Sequence, residues 1–294
     1  MRLQVIPTEN QLNERLDVIL AKGLNLPRAQ VQKAIAEGCV TVGGQWIRRS
    51  AFKLKSLMPI QMEWAPAVVE GLVAQHIPLD ILYEDDAVLI VNKPTGMVVH
   101  PGAGRETATL VHALLAHCPN LPEGTEPNKP GIVHRLDKAT SGVMVVAKTA
   151  ESMQALLQQF KERRVEKIYQ TWVMGKMMGQ GLIDRAIGRH VSRRQKMSSH
   201  TQKGRRALTE WEAVEQSSDR TRLQIKLHTG RTHQIRVHLA EAGHPVLGDT
   251  VYGKKTGAPL FPRLALHAWK LGFYHPVTGE WTMFEAPLPK DFLK

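Results

Sequence analysis

The sequence of 294 residues predicts an α+β protein with a mixed or antiparallel sheet and a small separate unit at its amino-terminal end. Runs of β-branched residues bounded by Gly and Pro follow one another, whereas parallel α/β folds alternate strands with helices. The few helical patterns are short and amphipathic. We expect three parts, with boundaries at 1–64 for the small unit, 65–76 for a linker and 77–294 for the larger domain.

Two helices and a hairpin are predicted for the amino-terminal unit. Apolar residues recur at helical spacing over Leu12–Leu20 and again over Val31–Ile35. Gly38 follows the second pattern as a C-cap. The segment CVTVGGQWI alternates on both sides of Gly43-Gly44, which is typical of a β-hairpin. Residues 65–76 show no clear period, so we interpret them as the linker.

The larger domain is predicted to be rich in strands. Six segments have strand character: DAVLIVNKP, IVHRLD, VMVVAKT, IYQTWVMG, ALTEWEAVEQ and TRLQIKLHT. ESMQALLQQFKERRV is predicted to be a helix because Met153, Leu156, Leu157 and Phe160 share one face. HQIRVHLAEAG is a second expected helix, and the chain closes with a hairpin over Thr278-Gly279.

The formal charge is +12, from 39 basic and 27 acidic side chains, and it is unevenly distributed. Residues 161–206, the basic stretch, hold 13 basic and 3 acidic side chains, a net charge of +10. Such a surface attracts polyanions because phosphate contacts release condensed counterions. Tyr169, Trp172 and His190 lie within this stretch, and their rings can stack on bases. We therefore expect a nucleic-acid partner, in preference to a merely solvated basic face.

The composition argues against membrane and disulfide-based classes. No 18-residue window is free of charge, so we expect no membrane span and no membrane partner. The start, MRLQVIPTEN, lacks the apolar core of a signal peptide. Cys39 and Cys118 lie 79 positions apart, which excludes a disulfide framework and a Cys-rich zinc site. We expect a reducing, cytoplasmic setting.

Two segments carry the residues with chemical potential. GIVHRLDKATSGVMVVAKT places Asp137 on a loop between strands, where it serves either as a reactive group or as a cap of its own turn. LHTGRTHQIRVHLAEAGHPVLGD supplies arginines, one of which would keep the Asp137 carboxylate ionised if it faced it. His233 and His238 are five residues apart, a spacing that does not stack two zinc ligands on a helix. We expect ordinary polar packing for most of the histidines here.

No cofactor signature is present in the sequence. Gly102-Ala103-Gly104 has Thr107 in place of the third glycine of a dinucleotide fingerprint. Neither a phosphate-binding GxxxxGK[ST] loop nor a G-x-S-x-G nucleophile elbow occurs. We therefore predict an activity without cofactor and without a metal.

Five ordered segments together resemble RluA-type pseudouridine synthases, and most closely their D branch, which acts on large-subunit ribosomal RNA. They are LDILYEDDAVLIVNKPTGMVVHPGAG, HRLDKATSGVMVVAKT, KIYQTWVMG, TGRTHQIRVHLAEAGHPVLGDTVYG and LALHAWKL. Residues 13–62 resemble an S4-type RNA-binding domain, which this branch carries ahead of its catalytic domain. Pro27-Arg28-Ala29 departs from the Ser-Arg-Ser usual at the start of the S4 helix.

The resemblance implies a role for individual residues. Asp137 corresponds to the catalytic nucleophile, Tyr169 to the tyrosine against the target base, and Arg236 to the arginine paired with the aspartate. Arg135 corresponds to the side chain that enters the RNA stack as the uridine leaves. The other basic residues that we expect to bind RNA are Arg28, Lys33, Arg48, Arg49, Arg193, Arg194 and Arg231.

The implied reaction is the isomerisation of specific uridines in a stem-loop of 23S rRNA, on free RNA or on a precursor of the large subunit. The protein is expected to act as a monomer. Three alternatives stay open from the sequence: a C-branch-like synthase with other sites in the same RNA, a non-catalytic ribosome-assembly factor, and an RNA hydrolase with Asp137 as base. The hydrolase would ordinarily need a cluster of metal ligands, which the sequence does not suggest.

Overall fold

The chain forms two compact units, Met1–Gly71 and Leu72–Lys294, in the computed structural model. The structure describes residues 2–24, 26, 28–63, 72–102, 106–124, 128–193, 196–201, 203–253 and 261–293. Residues 65–71 of the expected linker and Arg194 of the basic stretch lie outside the described residues. The boundaries expected from the sequence, at 64 and 77, stay predictions.

The first unit packs two helices against a four-stranded antiparallel sheet. Its elements are β1 (Arg2–Val5), α1 (Leu16–Gly23), α2 (Arg28–Ala36), β2 (Val40–Val42), β3 (Gln45–Trp46) and β4 (Ile60–Glu63). The strand order is β1-β4-β2-β3. Leu16, Ile19 and Leu20 of α1 are fully buried, as are Val31 and Ile35 of α2. The two predicted helices and the hairpin at Gly43-Gly44 are therefore confirmed.

The start of the first helix differs from the prediction. Leu12 lies outside α1 and is 41% exposed. Asn13 has a φ of 65°, a left-handed conformation that does not fit within a right-handed helix, so α1 begins only at Leu16. Strands β1 and β4 were not predicted, because their pairing joins segments more than fifty residues apart and leaves no local signal.

Among its described residues, the second unit has eleven strands and three α-helices. Its strands and helices are β5 (Ile81–Glu84), β6 (Val88–Lys93), α3 (Leu110–His117), β7 (Ser141–Ala147), α4 (Ala150–Glu162), β8 (Glu166–Met174), β9 (Gln180–Asp184), β10 (Gly188–Arg189), β11 (Met197–Ser198), β12 (Leu208–Gln216), β13 (Arg220–Leu227), α5 (Gln234–Glu241), β14 (Leu266–Tyr274) and β15 (Trp281–Glu285). No helix within the described ranges is long and apolar enough to cross a bilayer.

The main sheet has nine strands in the order β5-β6-β7-β14-β8-β13-β12-β9, and β15 pairs with β14 beside this path. Strands β7 and β14 run parallel, whereas the other pairs are antiparallel. The sheet is mixed and its helices are few, which confirms the predicted α+β class. Gly142 allows the close approach of β7 to β14, since a Cβ there would lie 2.1 Å from the carbonyl oxygen of Ala268.

One prediction for this unit is wrong, and one helix was missed. IVHRLD is not a strand: Ile132 makes one isolated bridge to Val146, and the chain then runs as a loop to β7. Helix α3 was not predicted. Its sequence, LVHALLAH, is buried from Leu110 to Leu114, so it has no polar face to give a helical period.

Candidate active site

The loop that carries Asp137 is held in place by a buried lysine. The ammonium of Lys93, at the end of β6, donates to the carbonyls of Pro94 at 2.8 Å and Met97 at 3.0 Å, and lies 3.5 Å from that of Lys138. Burial lowers the pKa of Lys93 to about 8, although the nearby charge of Asp137 opposes this shift. Lys93 therefore ties the end of β6 to the residue that follows Asp137.

The carboxylate of Asp137 faces α5 and does not cap its own turn. The backbone carbonyl of Asp137 accepts from the Thr140 amide at 3.0 Å, while its side chain, 21% exposed, points to Arg236. Arg236 Nη1 donates to Asp137 Oδ2 at 3.3 Å, and His233 Nε2 lies 3.8 Å from the same oxygen. The predicted pairing of an arginine with Asp137 is thus present in the structure.

Arg236 also makes a two-point ion pair with a second carboxylate. Its Nε and Nη2 donate to Asp249 Oδ2 and Oδ1 at 2.8 and 2.9 Å. Burial alone would lower the pKa of Arg236, but the hydrogen bonds and charge of Asp249, together with the charge of Asp137, raise it above its ordinary value. The guanidinium is thus a fixed cation between two carboxylates.

The start of α5 sets the positions of His233 and Arg236. His233 is the N-cap and has a φ of 57°, a left-handed conformation that a non-glycine residue rarely adopts. Gln234 fixes this turn, accepting from the Arg231 amide at 3.0 Å and donating to the Leu208 carbonyl at 3.0 Å. His233 Nδ1 is 2.8 Å from the Tyr252 hydroxyl. Burial lowers the pKa of His233, against the opposing charge of Asp137.

Tyr169 lies on β8 beside the Asp137 loop. It is opposite Ile225 of β13 and Ala268 of β14, and its ring packs where the two main apolar clusters of the unit meet. Burial, followed by the charge of Asp137, raises the pKa of the Tyr169 phenol, so the hydroxyl stays protonated. The ring is therefore in reach of the same space as the Asp137 carboxylate.

One cleft collects the three predicted catalytic residues. It encloses about 640 Å³, counting the solvent space at its mouth, and Asp137, Tyr169 and Arg236 all line it. Arg135 and Arg231, which the sequence predicts to bind RNA, line it as well. Arg135 is exposed, and its Nη1 lies 3.4 Å from His100 Nε2. A cleft with a carboxylate, a phenol ring and several guanidinium groups suits an anionic, planar ligand.

The remaining basic residues predicted to bind RNA are spread over both units. Arg28 donates to the fully buried Asp17 through Nε at 3.0 Å, so part of its role is structural. Lys33 pairs with Glu37 at 3.7 Å. The other described members, Arg48, Arg49 and Arg193, are exposed.

His134, next to Arg135, is half-buried and stacks on Phe160 with ring centroids 4.8 Å apart. Its Nε2 accepts from the Val145 amide at 3.1 Å, and burial lowers the pKa of His134 to about 3. As the pH falls below 6.5, the imidazole is protonated in the unfolded chain but not in the folded protein. The free energy of unfolding of wild type therefore falls by up to about 1.4 kcal/mol per pH unit.

His134→Gln keeps an acceptor for the Val145 amide but has no titration. We expect wild type to be more stable at pH 7, and its advantage to shrink by about 2 kcal/mol between pH 6.5 and 5. Urea unfolding over this range measures the difference, and His76→Gln at an exposed position controls for the loss of an imidazole. Parallel pH dependence in the two proteins would contradict the assignment.

Sequence reasoning assigned no role to Asp249 or Tyr252 and placed His233 among the packing histidines. Asp249 and Tyr252 stand within the segment GDTVYG, which contributed to the resemblance as a motif but offered no local sign that Asp249 pairs with Arg236.

Glu84, His117 and Cys118 place donor atoms within 4.8 Å of one another. Glu84 is engaged there by Lys148 and His117 at 2.8 Å, and these residues do not line the cleft.

Comparison with known proteins identifies the class of protein to which this fold and cleft belong. Residues 87–241 match the RNA pseudouridylate synthase family, and residues 14–57 match the S4 domain. The chain belongs to the RNA pseudouridylate synthase family and is an enzyme that isomerises uridine in RNA. The family resemblance inferred from the sequence, including the S4 domain, is confirmed.

Individual relatives cover most of the chain. Ribosomal large subunit pseudouridine synthase D of Vibrio vulnificus (strain CMCP6) is 40% identical over 97% of this chain and 91% of its own length. An uncharacterized RNA pseudouridine synthase of Synechocystis sp. is 43% identical over 97% of this chain and 89% of its own. The solved structure of human RNA pseudouridylate synthase domain containing 1 has a TM-score of 0.61 at 29% identity, covering 74% of this chain and 86% of that one.

Proposed function

We propose that this protein isomerises specific uridines of 23S rRNA to pseudouridine, with Asp137 as the nucleophile and no cofactor. The observation that carries the proposal is the single cleft in which the Asp137 carboxylate, the Arg236 guanidinium and the Tyr169 ring meet. The names of relatives such as the Vibrio vulnificus enzyme support large-subunit ribosomal RNA as the substrate. Such a substrate, either free or in a precursor particle, corresponds to a cytoplasmic enzyme, and we propose that it acts as a monomer.

The reaction breaks the N1–C1′ bond of uridine, turns the uracil and joins its C5 to C1′; C5 loses its proton and N1 gains one, so the product is an isomer and no electrons enter or leave. An anionic carboxylate serves each of three routes: attack on C1′, attack on C6, or removal of the 2′ proton. Among the described residues, Arg236 and His233 both reach Oδ2 of Asp137, which leaves Oδ1 for the substrate. Arg236 places a positive charge 3.3 Å from this carboxylate in a partly buried site.

The target uridine has to leave its stack to reach this cleft. Extrusion costs a few kcal/mol, least in a loop, and stacking of the uracil on Tyr169 returns about 1–3 kcal/mol. Arg135 is exposed at the cleft and long enough to occupy the vacated place in the RNA. The basic stretch and the S4 domain hold phosphates, which fixes the position of the RNA without reading its sequence.

The direct test is to incubate 23S rRNA with wild type and with Asp137→Ala, and to map pseudouridine by carbodiimide treatment and primer extension. We expect new stops with wild type alone. Their positions distinguish D-branch from C-branch targets. Wild type that binds rRNA but yields no stop would overturn the proposed substrate.

Arg48 and Arg49 are exposed on the S4 domain. Arg48→Ala or Arg49→Ala is expected to raise KM about threefold to tenfold with kcat within about twofold, because phosphate contacts position the RNA. The slope of the logarithm of the binding constant against the logarithm of the salt concentration should also fall by about one, because one phosphate contact is lost. Lys22→Ala, in the same unit but paired with Glu14 at 3.1 Å, is the control. A dominant loss of kcat would contradict the role of this domain in binding.

A further inference from the structure

Asp249 is a carboxylate with a fully buried side chain and four donors around it. Arg236 Nε donates to Oδ2 at 2.8 Å, while Arg236 Nη2 and the amides of Val251 and Tyr252 donate to Oδ1 at 2.9, 2.9 and 3.0 Å. Burial would raise the pKa of Asp249, but the hydrogen bonds and charge of Arg236 hold it below its ordinary value. Asp249 is therefore an anion that Arg236 cannot leave without a large cost.

The backbone fixes where this anion sits. Gly248 has a φ of 71°, and a Cβ at this position would lie 1.8 Å from the carbonyl oxygen of Arg263. The Asp249 amide donates to the Val246 carbonyl at 3.2 Å, and the Asp249 carbonyl accepts from Gly253 at 3.0 Å. Gly248 therefore lets the chain pass against Arg263 immediately before Asp249, and the two backbone hydrogen bonds of Asp249 hold this residue in its turn.

A guanidinium has a limited set of directed donors, so the pair with Asp249 constrains the contact with Asp137. Asp249 takes Nε and Nη2 of Arg236, and only Nη1 is directed at Asp137, at 3.3 Å to one oxygen. A two-point pair with Asp137 would instead engage both of its oxygens. The single contact keeps the charge near Asp137 and leaves its second oxygen open.

We propose that Asp249 is a positioning residue, which holds Arg236 in a two-point pair and so restricts it to one contact with Asp137. The inference rests on the proposed roles of Asp137 and Arg236. It makes Asp249 necessary for turnover and dispensable for RNA binding, although it lies outside the lining of the cleft.

Asp249→Asn separates this role from that of closing the turn. The amide oxygen of asparagine still accepts from the Val251 and Tyr252 amides. Its NH2 group replaces Oδ2 and opposes the Nε–H of Arg236, so the two-point pair is lost. We expect kcat to fall about 30-fold or more, with KM and the Kd for 23S rRNA within about threefold.

A double-mutant cycle with Arg236→Lys tests whether Asp249 acts through Arg236. Lysine cannot form the two-point pair. In that background Asp249→Asn should therefore lower kcat less than about threefold, since the two residues share one function. If the two losses multiply, Asp249 acts elsewhere and the proposal is wrong. Asp291→Asn is the matched control, because Asp291 makes the same kind of pair with Arg263 at 2.6 and 3.0 Å but does not line the cleft. It should keep kcat within about twofold.

Asp249→Glu serves if the asparagine variant does not fold. It keeps the charge but displaces the carboxylate by one methylene group, so we expect kcat to fall at least about tenfold with KM unchanged, again with little further loss from Arg236→Lys. Wild-type kcat in Asp249→Asn or in Asp249→Glu would overturn the proposal. Wild type without any product on 23S rRNA would instead contradict the proposed substrate.

Discussion

Asp137→Asn is expected to lower kcat for pseudouridine formation by at least about 10³-fold, with KM for 23S rRNA within about threefold. The substitution keeps the shape of the side chain, and its oxygen can still accept from Arg236 Nη1, which lies 3.3 Å from Oδ2 in wild type. It removes the negative charge, so the side chain can neither attack carbon nor take a proton at neutral pH. The loss should therefore fall on turnover and not on binding.

Single-turnover kinetics with excess enzyme measure this effect without interference from product release. Asp80→Asn is the control, since Asp80 is an exposed carboxylate that accepts from Asn92 at 2.8 Å. Thermal unfolding checks that both variants fold. A kcat above about one tenth of wild type in Asp137→Asn would contradict the assignment of the nucleophile.

Three neighbouring strands of the main sheet bring the residues of the site together. Ala268 of β14 pairs with Gly142 of β7 on one side and with Tyr169 of β8 on the other. The loop that carries Asp137 enters β7 only a few residues before Gly142. The mixed order β7-β14-β8 therefore brings the Asp137 loop and Tyr169 together at the central strands of the sheet, although 32 positions separate them in the chain.

Local patterns in the sequence predicted the elements that have a local cause. On the predicted face of α4, Met153 and Leu156 are buried and Phe160 is partly buried, as the 3.6-residue period indicated, but Leu157 is 40% exposed. Helix α3 begins with five consecutive buried residues and so shows no such period, and the stretch at IVHRLD has β-branched residues but runs into a loop that contacts Lys93 through the Lys138 carbonyl. Tertiary contacts determine the conformation of both of these segments.

Sequence reasoning named Asp137, Tyr169 and Arg236, which line one cleft, but it did not name the ion pair between Arg236 and Asp249. The pairing of Arg236 with Asp137 spans 99 positions, and it was expected only because the segments resemble a known family. Spacing alone does not indicate that Asp249, 13 positions beyond Arg236, takes the larger share of that guanidinium. The hydrogen bonds of a buried ion pair depend on which backbone segments meet, and this information is absent from any local window.

Arg236→Met is expected to lower the free energy of unfolding by about 3–5 kcal/mol at pH 7, because it leaves a buried carboxylate without its cation. The side chain of Asp249 is 0% exposed, and the two backbone amides on Oδ1 cannot replace the charge. Methionine fills a similar volume, so the loss reports the unpaired charge more than a cavity. Urea unfolding measures it, and Arg263→Met, whose partner Asp291 is 26% exposed, should cost less.

The pH dependence identifies the cause of this loss. In wild type the pKa of Asp249 is held below 3.8, so the pair stabilises the fold above that pH and its contribution disappears as the pH falls through the folded value. Without Arg236, burial favours the protonated form of Asp249. Lowering the pH therefore stabilises the variant at pH values where the wild-type ion pair is still intact. The difference in stability should therefore shrink from pH 7 towards pH 4, and Arg236→Met combined with Asp249→Asn should recover part of it at pH 7. A difference that stays constant with pH, with no recovery in the double variant, would mean that packing and not charge explains the loss.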